Sequence, residues 1–365
     1  QWISRRSKLF NKKMILMLVL LTAVVAGAAQ AGDFKVYGKL HTSIDLVNTG
    51  EDSQIRLSSN TSRFGIKGSS ELNENFTFIW QFEQKLNMAQ KGSETLANRN
   101  SFVGLNGNWG TALVGIHDTP FKTLGRKSTF FFDEIGDFRT VTMGWDRRLQ
   151  DIIVYASPNF SGFGFTAAYQ FDQAPTASEN AMTAFSVNAM YKKDGFLIGA
   201  ALESLSKGYA DSDITPGDEE SQMGIRASIK KMWDQSGLSF MYQTLSNRMG
   251  YADYSAGTMG FEGKWQFAPK FGLKAGYYWA DPYTDAEDDT GTPDVDESDI
   301  KYQQLAIGVD HNFAKNVGFY LQYATVMNGS YSQHELAGPW HGNTVFAHEM
   351  GANPNAFSLG TWFKF

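Results

Sequence analysis

The 365-residue chain has a net charge of −6, a mean hydropathy of −0.32, 36 glycines, 14% aromatic residues and no cysteine. The lack of cysteine excludes disulfides and thiolate metal sites, and the acidic balance argues against a nucleic-acid partner. No apolar run after Ala31 reaches transmembrane-helix length, which excludes a helical membrane protein.

At the start of the chain, Arg5, Arg6, Lys8, Lys12 and Lys13 precede an apolar run from Met14 to Ala26 and an A-x-A site, Ala29-Gln30-Ala31. This order predicts a secretory signal peptide over 1–31, removed before Gly32, with 32–365 forming a single domain. Arg5-Arg6 matches the start of a twin-arginine signal, but that route carries folded proteins and no cofactor motif follows. Because the chain opens on Gln1, the leader is expected to be extended or truncated relative to its natural start. Without the five leader cations, the remaining 334 residues carry −11.

Period-two alternation then recurs along the chain, which predicts strands. Val36, Gly38, Leu40, Thr42, Ile44 and Leu46 alternate with Tyr37, Lys39, His41, Ser43 and Asp45. Phe76, Phe78, Trp80 and Phe82 alternate with Thr77, Ile79, Gln81 and Glu83, and similar sets begin at Phe163, Phe271 and Leu305. The last strand sets Phe357, Leu359, Thr361, Phe363 and Phe365 against Ser358, Gly360, Trp362 and Lys364. One face is apolar and the other rich in Gly, Ser, Thr, Gln, Asp and Lys, as a wall between lipid and a watery lumen requires. A barrel also removes the open hydrophobic edge that such strands would otherwise expose.

Short turns near 71–75, 107–110, 159–162, 193–195, 234–237, 268–270 and 314–316 alternate with longer polar loops. Seven short turns and eight long loops define an all-β, sixteen-stranded antiparallel transmembrane barrel, with both termini on the short-turn side. Alternation is less clean over 98–116 and 150–159, as expected where a strand packs against another subunit or beneath a folded-in loop.

The segments Val36-Tyr37-Gly38-Lys39, Ser62-Arg63-Phe64-Gly65-Ile66-Lys67-Gly68, Arg99-Asn100-Ser101-Phe102-Val103-Gly104-Leu105, Val154-Tyr155-Ala156-Ser157-Pro158-Asn159-Phe160-Ser161-Gly162 and Trp362-Phe363-Lys364-Phe365 stand in this order along the chain. In order and spacing they resemble the general, non-specific porins of Gram-negative bacteria. The resemblance implies a homotrimer in the outer membrane whose third extracellular loop, 117–147 here, folds inward and narrows the pore. It implies basic wall residues Lys39, Arg63, Arg99 and Arg148 facing the loop acids Asp133, Glu134 and Asp137. The loop departs from the enterobacterial pattern: it lacks Pro-Glu-Phe-Gly-Gly and carries Phe130-Phe131-Phe132-Asp133-Glu134-Ile135-Gly136-Asp137 instead. The family also implies contact with lipopolysaccharide, and a barrel-assembly machinery that reads a terminal signal, here Trp362, Phe363 and Phe365.

The expected function is passive diffusion of small hydrophilic solutes and ions, with no cofactor and no enzymatic activity. The alternative is a channel selective for sugar, phosphate or organic acid, which Phe130, Phe131 and Phe132 keep open as a stacking surface. The bland reading of that triplet is packing of the loop against the wall. No Gly-x-Ser-x-Gly elbow and no H-E-x-x-H spacing occurs, and His117 beside Asp118 is read as structural hydrogen bonding. The acidic run 285–299 is read as a solvated loop, since Gly291 falls seventh from Asp285 where a calcium loop needs it sixth. The sign of ion preference stays open: −11 favours cations, whereas the wall arginines oppose this locally.

Overall fold

The structure, a computed structural model, describes residues 33–91, 96–172, 182–207, 209, 220–248, 255–284, 297–342, 345 and 347–365. The expected signal peptide and most of the acidic run 285–299 lie outside these residues.

The strands are β1 (Phe34–Asn48), β2 (Ser53–Ser59 and Arg63–Asn73), β3 (Phe76–Lys85), β4 (Ser101–Gly107), β5 (Gly110–Asp118) and β6 (Arg148–Ala156). They continue with β7 (Phe163–Gln170), β8 (Ala184–Lys193), β9 (Phe196–Leu205), β10 (Gln222–Trp233) and β11 (Ser236–Ser246). The last are β12 (Ser255–Ala268), β13 (Phe271–Thr284), β14 (Tyr302–Ala314), β15 (Val317–Asn328) and β16 (Asn355–Lys364). Each pairs antiparallel with its neighbours, and β1 pairs with both β2 and β16, from Lys39↔Lys364 to Asn48↔Asn355. The sheet therefore closes into a sixteen-stranded barrel without a free edge.

Strand β2 counts once although it is interrupted, because both pieces pair with β1. At the break Thr61 has φ +53°, while the Ser62 hydroxyl donates to the His41 carbonyl and accepts from the His41 N–H, both at 2.9 Å. The Asn60 N–H also donates to the His41 carbonyl, at 2.8 Å. The interruption thus leaves the β1 groups satisfied, as buried backbone requires.

The alternation read from the sequence is the wall's inside–outside pattern. On β1, Ile44 and Leu46 are 55% and 50% exposed, whereas Ser43 and Asp45 are 2% and 1% exposed. Aromatic rings line the outer short-turn rim: Trp109 stacks on Tyr155, and contacts run from Trp265 through Phe267, Phe271, His311 and Phe313 to Phe319. Such girdles sit where a membrane meets water.

Gly360 of β16 is a close-approach position. A Cβ there would fall 2.0 Å from Tyr320 Cζ, and Tyr320 bonds to His41 Nε2 at 3.0 Å and Asn60 Nδ2 at 3.1 Å. Gly360→Ala is expected to displace Tyr320 and lower barrel stability by about 1–3 kcal/mol, as overpacking does. The check is the temperature at which the detergent-folded barrel loses its heat-modifiable mobility; an unchanged temperature would refute this packing argument.

Candidate functional site

Among the described residues, two buried apolar clusters form where the long connection between β5 and β6 meets the wall. In one, Phe121, Leu124 and Trp145 of the loop pack with Leu149, Ile152, Leu197, Leu205 and Leu245. In the other, Phe131, Ile135, Phe138 and Val141 pack with Val47, Met241, Tyr278, Tyr302 and Val326, and with Leu336 and Val345 of the last loop. The wall partners lie on the face opposite the exposed apolar side chains, so the loop lies against the inner surface.

Local sequence explains the loop's first element, helix α1 (Pro120–Ser128). Thr119 caps it by accepting the Lys122 N–H, Pro120 occupies the first turn, and Arg126 and Lys127 sit in the last. Phe121 and Leu124 share its buried face. Gly125 has no side chain because Arg226 passes beneath the helix, and a Cβ would lie 2.3 Å from its Nη1.

Polar anchors then hold the loop to β10–β15. Arg226, fully buried, donates to Asp146 Oδ1 at 2.9 Å and Oδ2 at 3.1 Å, and to Gln243 Oε1 at 3.1 Å. Glu262 accepts the Thr129 hydroxyl at 2.7 Å and the Phe130 N–H. Thr258 donates to the Val141 carbonyl at 2.7 Å, and Gln304 to the Asp137 carbonyl at 3.3 Å. Lys274 bridges Glu134 and Asp310, and Gln322 also donates to Glu134.

The other side of the loop faces β1–β6. Asp133 Oδ2 meets Lys39 Nζ at 3.4 Å and Arg63 Nη1 at 3.8 Å. Arg63 also reaches Glu83 at 3.6 Å, and Arg99 binds Glu83 at 2.6 Å. Asp118 collects Arg148 at 2.8 Å, Arg126 at 2.7 Å and Lys122 at 3.1 Å. Asp133 has φ +65°, and its N–H donates to Asp137 Oδ2 at 2.7 Å. A left-handed backbone is uncommon outside glycine but tolerated best by Asp and Asn. Burial would raise the Asp133 carboxyl, yet Lys39, Arg139 and Arg63 hold it well below the usual carboxylate range.

The structure therefore brings Lys39, Arg63, Arg99, Arg148 and Asp133 into one charged belt. Glu134, next in sequence to Asp133, pairs with Lys274 of β13 and Gln322 of β15, and Asp137 accepts the Asp133 N–H and binds Arg139, which also binds Asp133 at 2.9 Å, so both adjoin the belt. Trp362, Phe363 and Phe365 lie at the short-turn end, where Trp362 packs under Lys364 and Phe363 stacks on Phe365.

Sequence reasoning missed the belt's other members, the loop cations Lys122 and Arg126 and the wall acids Glu83 and Asp118. Glu83, Arg226 and Lys274 were accessible by parity, since each is charged on the inward face of an otherwise clean strand. The loop cations carry no such periodic signal. Phe130, Phe131 and Phe132 pack: Phe131 is buried beside Lys274, Phe130 lies under Lys230, and Phe132 is clasped by Arg126 and Arg139. His117 Nδ1 lies 2.8 Å from the Asp118 carbonyl.

The last loop adds a second clamp. The Thr140 hydroxyl donates to the Leu336 carbonyl at 2.9 Å, while His334 Nε2 bonds the Thr140 carbonyl and its ring stacks on Tyr302 at 3.8 Å. Burial lowers His334 to about 4, although the Thr140 carbonyl pulls the other way. With the folded value below that of free histidine, near ~6.5, the clamp is fully present above that pH and weakens as pH falls toward about 4. Glu335, pushed up to about 7 by burial, has the opposite sign: its contribution is full below the free-carboxyl value and is lost as pH rises through about 7. Between about pH 7 and 4 the two contributions oppose one another, so protease nicking of 329–354 in the folded protein is expected to change little on acidification in the unmodified protein, to fall in His334→Gln and to rise in Glu335→Gln. Nicking with the same pH dependence in all three proteins would contradict the clamp.

The family model described as Gram-negative porin matches residues 17–330. The chain belongs to the Gram-negative porin family. The porin is accordingly a β-barrel of the bacterial outer membrane, and its short turns face the periplasm. It is 29% identical over 238 residues to the chitoporin of Vibrio furnissii, spanning 58% of this chain and 62% of that one. It spans about half the length of the Neisseria major outer membrane proteins it also matches. Among solved structures, the anion-selective porin from Comamonas acidovorans superposes with a TM-score of 0.73 at 19% identity, covering 91% of this chain and 99% of that one. The trimer form of OmpT from Vibrio cholerae gives 0.65 at 17% identity, covering 92% and 100%. These two likenesses concern the fold.

Proposed function

We propose that this porin is a water-filled channel for passive diffusion of small hydrophilic solutes and ions, narrowed where loop 119–147 meets β1–β6. The observation that carries this reading is the belt of Lys39, Arg63, Arg99, Lys122, Arg126 and Arg148 around Asp133, Glu83 and Asp118. Paired charges of both signs bordering a narrow wet opening give it a strong local field that polar solutes tolerate and apolar solutes do not. Six cations against three carboxylates give this belt a positive balance, so the pore prefers anions despite the acidic chain. Selectivity follows the local field, and distant surface charge is screened beyond roughly 10 Å at ~0.1 M salt.

In this reading Lys39, Arg63, Arg99 and Arg148 form the basic wall and Asp133 the facing loop acid, while Glu134 and Asp137 are loop fasteners. Residues 1–31 are the export signal and 32–365 the barrel. The porin works as a homotrimer among lipopolysaccharide, and Trp362, Phe363 and Phe365 serve the assembly machinery. Burial of Phe131, with Phe130 and Phe132 half-buried against Lys230, Arg126 and Arg139, favours a packing role for the triplet over a sugar-stacking one.

The test is the zero-current potential of the refolded protein across a potassium chloride gradient in a planar bilayer. An anion-selective sign is expected. A cation-selective sign would overturn the local-field argument, and absence of conductance would overturn the channel itself.

A further inference from the structure

On the outer wall, the two periplasmic turns that flank β13 and β14 bring three basic residues to one place. Phe271 pairs with His311, and the Asn312 N–H donates to the Lys270 carbonyl at 2.8 Å. The turn 268–270 therefore runs alongside the end of β14 and the turn that carries Lys315. Neither turn holds an acid. Among the described residues neither lysine is paired with a carboxylate, and both are exposed. His311 shares the outward face of β14 with Ile307, Val309 and Phe313, and its ring lies 4.2 Å from those of both Phe271 and Phe313. The three basic groups thus stand in the aromatic girdle, at headgroup level.

The same strands carry a depression deeper in the wall. Leu238, Gly263 and Ala275 form one outward row, and Phe261, Tyr277 and Leu305 the next. Two small residues among large ones leave an open cavity of about 280 Å³ lined by these six. Packing within the chain does not call for glycine at 263: a Cβ there would meet only Leu238 Cδ2, at 3.3 Å, whereas Gly360 has Tyr320 directly over it. The space at Gly263 is left for something outside the chain. Ala275 stands four residues from Phe271 on β13, about 13 Å along the strand at ~3.3 Å per residue. A bilayer's hydrocarbon core is about 30 Å thick, so one leaflet of ~15 Å reaches from the girdle to the depression.

We propose that this face of β11–β14 binds one anionic glycerophospholipid of the periplasmic leaflet, its phosphate at Lys270, His311 and Lys315 and an acyl chain in the depression at Gly263 and Ala275. Lysine at a membrane surface attracts anionic lipid, and its stem reaches the interface along an apolar wall. An apolar protein segment would fill the depression and leave the basic turns without a counter-charge, whereas a lipid matches both. The inner loop plays no part, so the site holds whether or not the barrel conducts.

Native mass spectrometry of the detergent-folded full chain, incubated with phosphatidylglycerol, tests it. One phosphatidylglycerol retained per subunit is expected, in preference to phosphatidylethanolamine, whose ammonium group offsets its phosphate. Lys270→Gln, His311→Gln and Lys315→Gln should each weaken retention, the lysine variants about fivefold. Lys91→Gln, in an extracellular loop, should leave it unchanged. Gly263→Leu and Ala275→Leu, which fill the depression, should weaken retention of the long-chain lipid and not of dihexanoyl phosphatidylglycerol. Equal retention of the two headgroups, or lysine variants that hold the lipid as tightly as the unmodified protein, would overturn the site. Loss of the oligomer in the depression variants would show that a second copy covers this face, and would overturn it equally.

Discussion

Arg226→Met is expected to detach the loop from β10 and leave the barrel standing. The Arg226 guanidinium is fully buried between Asp146, Gln243 and the Phe121 ring, whose centre lies 4.2 Å away. Methionine keeps much of the volume but leaves the Asp146 carboxylate buried without its cation, and breaking such a pair costs about 3–5 kcal/mol. The barrel ladder, built from strand pairing elsewhere, does not depend on this group. The loss should therefore appear locally, as trypsin cleavage between Lys122 and Arg147 in the folded variant and as a larger, noisier single-channel current. Gly125→Ala should act in the same direction, because its methyl group would occupy the path of the Arg226 guanidinium. A protease-resistant loop in both variants would show that the apolar clusters alone hold it.

The second large effect is expected from Asp133→Asn. Asparagine is nearly isosteric and tolerates the left-handed backbone at this position, so the substitution removes charge with little change of shape. Lys39 and Arg63 lose their facing carboxylate, and Arg139 keeps Asp137. A unit charge about 4 Å from a passing ion is worth about 1 kcal/mol in water, of opposite sign for anion and cation, so the anion-to-cation permeability ratio should rise about thirtyfold. In the unmodified protein the Asp133 carboxyl is held well below the ordinary range. Its charge, and the contribution it makes to holding the loop, are present above the free-carboxyl value near ~3.9 and fade only as pH falls below that. Selectivity should therefore stay flat down to about pH 4 in the unmodified protein. An unchanged reversal potential in Asp133→Asn would mean that ions do not pass this residue.

The barrel was legible in the sequence because its physical demand is periodic. Lipid on one side and water on the other force alternation on each strand, as with Ile44 and Leu46 against Ser43 and Asp45. The alternation of short and long connections then gave the strand number and the side of the termini. The break at Asn60–Ser62 was not legible, since Ser62 replaces a ladder bond with a side-chain bond that leaves no periodic trace. The inner loop was harder for the same reason. Its side chains are sorted by what they touch: Asp133 turns toward Lys39 and Arg63, whereas Glu134, the next residue, turns toward Lys274. Nothing in the run Phe132-Asp133-Glu134-Ile135 fixes that division without the positive φ of Asp133.

The most direct measurement uses the absence of native cysteine. Arg126, whose side chain is 32% exposed beside Asp118, would be replaced by cysteine and treated with an anionic thiol reagent during single-channel recording. The account predicts stepwise loss of current, one step for each subunit, while Leu359→Cys on the outer wall shows none. Complete labelling of Arg126→Cys with no change in current would contradict a pore narrowed at this loop.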